Sequence, residues 1–226
     1  MKEQGKTTET KSIQGKSTET TPAQVKTGKT RMNIRYMTVT AMLSALAFIL
    51  QFFEFSIPAL IPPFIKMDLS DLPELIGSFA MGPLYGVLIC LIKNLLHLFV
   101  TSTGGVGELS NFLLGAVFVL PAGLIYQKKK TKKRAICGAV LGAAAMALFS
   151  IAANYYIVYP VYTAFMPMDT IIAAYQQIMP SIPDGGLLQC LIVFNAPFTF
   201  VKGMLSVIIT VLVYKHLSPI IKGTNR

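Results

Sequence analysis

Residues 72–101 read LPELIGSFAMGPLYGVLICLIKNLLHLFVT, and how often this stretch crosses a membrane decides the architecture of the whole chain. It is too long for one plain spanning helix, which takes about 20 apolar residues. Met81-Gly82-Pro83 supplies a break, because proline suits a first helical turn and closes the helix before it. The reading is a short helix from about Leu72 and a fuller one from Pro83 to Val100.

Working outward, the composition sets the class. Hydrophobic residues make up 53% of the chain and charged ones 13%, with a mean hydropathy of +0.58. With several uncharged apolar runs of spanning length, this describes a helical integral membrane protein. Cys90, Cys137 and Cys190 lie in apolar runs without paired spacing, so neither a disulfide framework nor a metal site is indicated. The net charge of +10 is gathered in three clusters: Lys2–Arg35, Lys128–Arg134 and Lys215–Arg226. The clusters flank apolar spans, which argues for the cytoplasmic side of a membrane and against nucleic-acid binding.

That placement settles the count. An even number of crossings separates the first two clusters, and spans at 33–53 and 109–127 supply two. The broken stretch therefore contributes two or none, and the Gly-Pro break favours two. A fifth span from Arg134 to about Tyr159 and a sixth from Leu187 to Leu217 complete the expectation. The fold class is an all-α integral membrane protein of six transmembrane helices, with cytoplasmic N and C termini and a long outer loop after the first helix. Residues 1–32, with the near-repeat QGKTTETKS and QGKSTETTP, read as a disordered cytoplasmic tail, 33–217 as the membrane domain and 218–226 as a cytoplasmic C-terminal tail. Three prolines from Pro58 to Pro63 keep the outer loop from being helical. The segment 160–186 has room for a short helix of its own.

Polar groups inside spans mark functional sites by default, because hydrocarbon does not solvate them. Lys93 and His97 are four apart on one helix face. Asp68, Asp71 or Glu108 would neutralise Lys93 in a purely structural pair. Lys202 lies too deep in the last helix to reach either surface, and no acid is expected at its depth, so ligand contact is its favoured role. Outside the tail, the acids fall on or near the outer side. With Asn154, Asn195 and Lys202 they suggest an outward-facing cavity, against the alternative that each is merely solvated or satisfies a backbone group. Ala41 and Ala45 form a small-residue face that lets a second helix approach closely, and Gly138 and Gly142 form another. Enzyme signatures are thin. There is no His-Glu-x-x-His, Gly104–Gly107 lacks the Lys-Ser/Thr of a phosphate loop, and an intramembrane hydrolase using Ser78 and His97 is a remote alternative.

The motifs Lys66-Met-Asp-Leu-Ser-Asp-Leu-Pro73, Lys93-Asn-x-x-His97, Gly107-Glu-x-x-Asn111, Asn154 with Pro160-x-Tyr162, and Pro197-Phe-x-x-x-Lys202-Gly203 occur in this order. Together they resemble the riboflavin-specific substrate-binding subunit of energy-coupling-factor (ECF) transporters, over about residues 33–217. The resemblance implies a bacterial cell-membrane protein, itself no enzyme, that binds riboflavin as transported substrate and needs no cofactor or metal. It implies a pocket under the loop after the first helix, and partners in a membrane coupling subunit of the T type and two cytoplasmic ABC-type ATPases. It further implies that Ala41 and Ala45 pack on the coupling subunit, and that transport involves toppling of the binding subunit.

Carried over by residue, Lys202 matches a lysine that contacts the flavin and Asn154 a binding asparagine. Thr199 stands where the family often has Asn and so loses an amide fork, with Asn195 one turn away able to share the role. On chemical grounds Phe64, Met67, Tyr155 and Tyr162 are candidate apolar walls. Asp68, Glu108 and Asn111 are candidates for the ribityl hydroxyls. About 27 heavy atoms at roughly 0.3 to 0.45 kcal/mol each would give micromolar to nanomolar binding. The alternatives are another vitamin or FMN, whose phosphate would want more basic groups outside than Lys66 and Lys93.

Overall fold

The structure, a computed structural model, describes residues 34–58, 60–101 and 103–222, with side chains as far as Val213. The chain divides into Met1–Arg31 and Met32–Arg226; the expected disordered tail and the last residues of the C-terminal tail lie outside the described residues.

The break at Met81-Gly82-Pro83 is where the reading put it. Helix α2 (Asp71–Ala80) ends there, and α3 (Pro83–His97) begins with proline at its first position. Between them Gly82 adopts φ 126°, a conformation that side-chain-bearing residues rarely take. The first span is α1 (Ile34–Gln51). A short 3-10 turn, Leu98–Val100, extends α3, and α4 (Val106–Lys128) starts three residues earlier than expected, behind Gly105 at φ 88°.

Helix α5 (Lys132–Ala153) is capped by Thr131, whose hydroxyl accepts from the Arg134 N–H at 3.4 Å. It runs on through a π-helical turn (Asn154–Val158) into a last α-turn (Tyr159–Tyr162). The outer segment does carry a helix, α6 (Met168–Gln176). Helix α7 starts at Leu187–Cys190, passes through a second π-helical turn (Leu191–Asn195) and continues over Ala196–Lys222.

Among the described residues, five helical stretches are long and apolar enough to cross a membrane: Ile34–Gln51, Pro83–Val100, Val106–Lys128, Lys132–Tyr162 and Leu187–Val213. The short α2 has 10 residues, about 15 Å of rise against a hydrocarbon core of about 30 Å. It is enclosed instead. Every residue from Asp71 to Phe79 is buried, and α1, α3, α4 and α7 pack around it. This is how a helix carrying Asp71 and Glu74 is kept from lipid. Glycine permits the closest of the other contacts: a Cβ on Gly138 would stand 2.9 Å from the Ala122 carbonyl oxygen, and Gly142 faces the Phe118 backbone in the same way. The Gly138/Gly142 face thus seats α5 on α4. Ala41 and Ala45, by contrast, are exposed on α1.

The proline segment after α1 is non-helical as expected. Its ends are joined by an antiparallel bridge, Phe55 N–H to Met67 O at 2.9 Å and Met67 N–H to Phe55 O at 2.8 Å, and by an ion pair between Lys66 and Glu54. One core cluster, around Phe79, Phe118, Tyr126 and Met146, joins α2, α4, α5 and α7. A second, around Val106, Tyr159, Ile171, Tyr175 and Leu191, joins α6 to the π-helical ends of α5 and α7.

Candidate functional site

A cavity of about 1030 Å³, counting its open mouth, touches both of these clusters. Its floor and walls come from segments far apart in the chain: Asp68 and Asp71 from the end of the proline segment, Glu108 and Asn111 from α4, Asn154 and Tyr159 from the π-helical end of α5, and Asn195, Thr199 and Lys202 from α7. A π-helical turn holds one residue more than an α-turn and recurs at functional sites. Asn154 begins one of the two turns and Asn195 ends the other, so both irregularities fall on the cavity wall.

Lys202 departs from expectation. Its ammonium donates to Asp68 Oδ2 at 3.0 Å and to Asn111 Oδ1 at 3.3 Å, and Asp71 Oδ2 lies 3.6 Å away. Acids do reach its depth, because the segment after Pro63 descends into the bundle. Burial acts to raise the pKa of Asp68, but the charge of Lys202, with help from Lys93 and the Ser70 hydroxyl, outweighs it and holds the carboxyl below the usual carboxylate range. Lys202 still has one of its three N–H bonds to offer the cavity.

Lys93 takes the structural role foreseen for it. It is fully buried, 2.5 Å from Glu74 Oε1 and 3.4 Å from Asp71 Oδ1, and also bonded to Ser70. Asp71 was a foreseen partner; Glu74, the nearer one, was not. Glu108 belongs to a different pair. It meets His97 Nδ1 at 2.7 Å and accepts from Thr101 at 2.9 Å and Thr103 at 3.3 Å.

Eight of the ten substrate-site candidates line the cavity: Phe64, Asp68, Glu108, Asn111, Asn154, Asn195, Thr199 and Lys202. The other two do not. Met67 is buried, with its backbone spent on the bridge to Phe55, and its side chain does not line the cavity. Tyr155 is 40% exposed and stacks on Tyr156 at 5.0 Å; with Asn154 facing in, the next residue round the helix faces out. Tyr159 and Tyr162 are the ring-bearing walls on α5. Tyr162 was foreseen, whereas Tyr159 and the lining residues Gln51 and Glu54 were not. The hydrolase alternative finds no geometry. Ser78 donates to the Val119 carbonyl at 2.9 Å deep in the bundle, and His97 is engaged by Glu108.

The family described as ECF transporter, substrate-specific component, matches residues 35–214. The chain belongs to that family. ECF substrate-specific components related to it include a Staphylococcus aureus protein named riboflavin transporter RibU, 34% identical over 85% of this chain and 94% of that one. A Bacillus subtilis protein named riboflavin transporter FmnP is 31% identical over 83% of this chain and 94% of its own length. A solved structure described as the S component of a bacterial ECF transporter superposes with a TM-score of 0.66 at 31% identity, covering 84% of this chain and 98% of that one. As an ECF substrate-specific component this chain is a membrane transport subunit rather than an enzyme, and the cavity is its candidate substrate site.

Proposed function

We propose that the protein captures riboflavin from outside a bacterial cell, as the substrate-binding subunit of an ATP-driven ECF transporter in the plasma membrane. The observation that carries this reading is the convergence on one cavity of a buried lysine with an N–H to spare and a set of amide and hydroxyl groups, Asn111, Asn154, Asn195 and Thr199, opposite the rings of Phe64, Tyr159 and Tyr162. A flat aromatic ligand with an edge of two carbonyls and one N–H needs that combination. The relatives named as riboflavin transporters support the same choice.

The phosphate of FMN finds less welcome. Lys66, Lys93 and Lys202 each already face a carboxylate, so a dianion there would compete with a buried acid. In this reading α2 is the second of six crossings, completed by the residues before it. Both termini are cytoplasmic, the cavity opens outward, and Ala41 and Ala45 meet a membrane coupling subunit that works with two cytoplasmic ATPases. Residues 1–32 are a dispensable tail.

The test is to purify the protein in detergent, record its visible spectrum and titrate riboflavin while following fluorescence quenching. Saturable sub-micromolar quenching, weakened in Lys202→Ala, is expected. A colourless protein that ignores riboflavin and binds another vitamin would overturn the assignment.

A further inference from the structure

Tyr175 does not line the cavity, yet it is fully buried and its hydroxyl sits in the most tightly hydrogen-bonded group of side chains next to it. It lies near the end of α6, a helix in the outer segment that is not itself a spanning candidate. Its Oη is 2.6 Å from Asn195 Oδ1 and 2.5 Å from Tyr159 Oη, and Asn195 Nδ2 is 3.3 Å from Tyr159 Oη. A tyrosine hydroxyl has one proton to give. Tyr175 gives its proton to the Asn195 carbonyl, so Tyr159 donates to Tyr175, and the Asn195 amide donates back to Tyr159. The three groups form a closed ring with every bond running the same way, an arrangement whose members polarise one another.

That ring fixes which end of the Asn195 amide points where. The carbonyl is turned toward Tyr175 and one N–H toward Tyr159, which leaves the second N–H as the donor that Asn195 can present to a bound molecule. Asn195 closes a π-helical turn, where the helix constrains the side chain less regularly than an ordinary turn does, so the ring supplies the constraint. Tyr175 is held in turn by ring contacts with Phe64 at 6.0 Å and Phe194 at 5.5 Å.

We propose that Tyr175 is a positioning residue of the substrate site: without touching the ligand, it sets the Asn195 amide as a donor toward the cavity. The inference rests on the riboflavin reading above, and it makes α6 part of the binding machinery rather than a cover over it.

The test is a double-mutant cycle on riboflavin affinity using the full-length protein in detergent. Tyr175→Phe keeps the buried ring and removes only the hydroxyl. It is expected to weaken binding about 5- to 10-fold, the range for loss of one aligned hydrogen bond, and to add less than about 2-fold once Asn195 is already alanine. A purely structural tyrosine would lose the same factor in both backgrounds, and that result overturns the proposal, as does a Tyr175→Phe protein that binds like wild type. Should Tyr175→Phe fail to accumulate, Tyr159→Phe opens the same ring at its other hydroxyl, with the same non-additivity toward Asn195→Ala expected and an additive result again decisive against it. A wild-type protein that ignores riboflavin would overturn the functional reading and this inference together, whereas normal wild-type binding with an unaffected Tyr175→Phe overturns this inference alone.

Discussion

Lys202 and Asp68 are 134 positions apart in the chain and 3.0 Å apart in space. No local pattern announces the contact: the depth of Lys202 was legible from the helix around it, but its partner arrives on a proline-rich segment with no periodicity to give its direction. The same limit explains Tyr155 and Met67. Their chemistry suited a flavin wall, but which face a residue presents beside a π-helical turn or a lone bridge is decided by three-dimensional packing. The pair has a testable pH signature. Because the folded-state pKa of Asp68 is depressed, its stabilising contribution is fully present above the unfolded carboxylate pKa of about 4 and fades only as pH falls through the lower folded value. The margin in thermal stability of wild type over Asp68→Asn is therefore expected to be flat from pH 8 to 5 and to shrink below about pH 4. A margin that changed near neutrality would show that the pair is not what Asp68 contributes.

At the scale of elements, α2 shows how burial can substitute for length. The acids it carries are matched by Lys93 from α3, and removing one partner of such a pair leaves uncompensated charge in the bundle, at a cost of about 3–5 kcal/mol. Lys93→Met is expected to lower the melting temperature in detergent sharply, and adding Glu74→Leu to recover part of the loss. The two small-residue faces make a second contrast. Gly142→Leu would drive a side chain into the Phe118 backbone and cost about 1–3 kcal/mol of overpacking. Ala45→Leu, at an exposed position, is expected to stay within about 0.5 kcal/mol of wild type; thermal melts of the two purified variants decide it. Helix order and most boundaries were readable from the apolar runs and the Gly-Pro break. The π-helical turns were not, since one added residue leaves the apolar run looking unchanged. For the same reason the sequence pointed to α2 as a crossing like the others, although the helix itself is only half as long as a bilayer core requires.

For the whole molecule, capture and transport place their demands on different surfaces. The substrate cavity is built inside the bundle, and the proposed docking stripe faces outward on α1. Ala41→Trp and Ala45→Trp are therefore expected to leave riboflavin affinity within about 2-fold while preventing co-purification with a coupling subunit and abolishing uptake in cells. Lost riboflavin binding in these variants would mean that the stripe and the cavity are not separable. The π-helical turns carry a genetic consequence. Each is a helix with one residue more than its turn can hold in α form, so trimming a single codon from 154–158 would restore a regular helix and swing Tyr159 and Tyr162 about 100° around the axis, away from the cavity they line, while everything from Lys132 to Ala153 kept its partners. In this scaffold an in-frame indel of one residue, rather than a substitution, is the mutation able to re-cut the binding wall in one step.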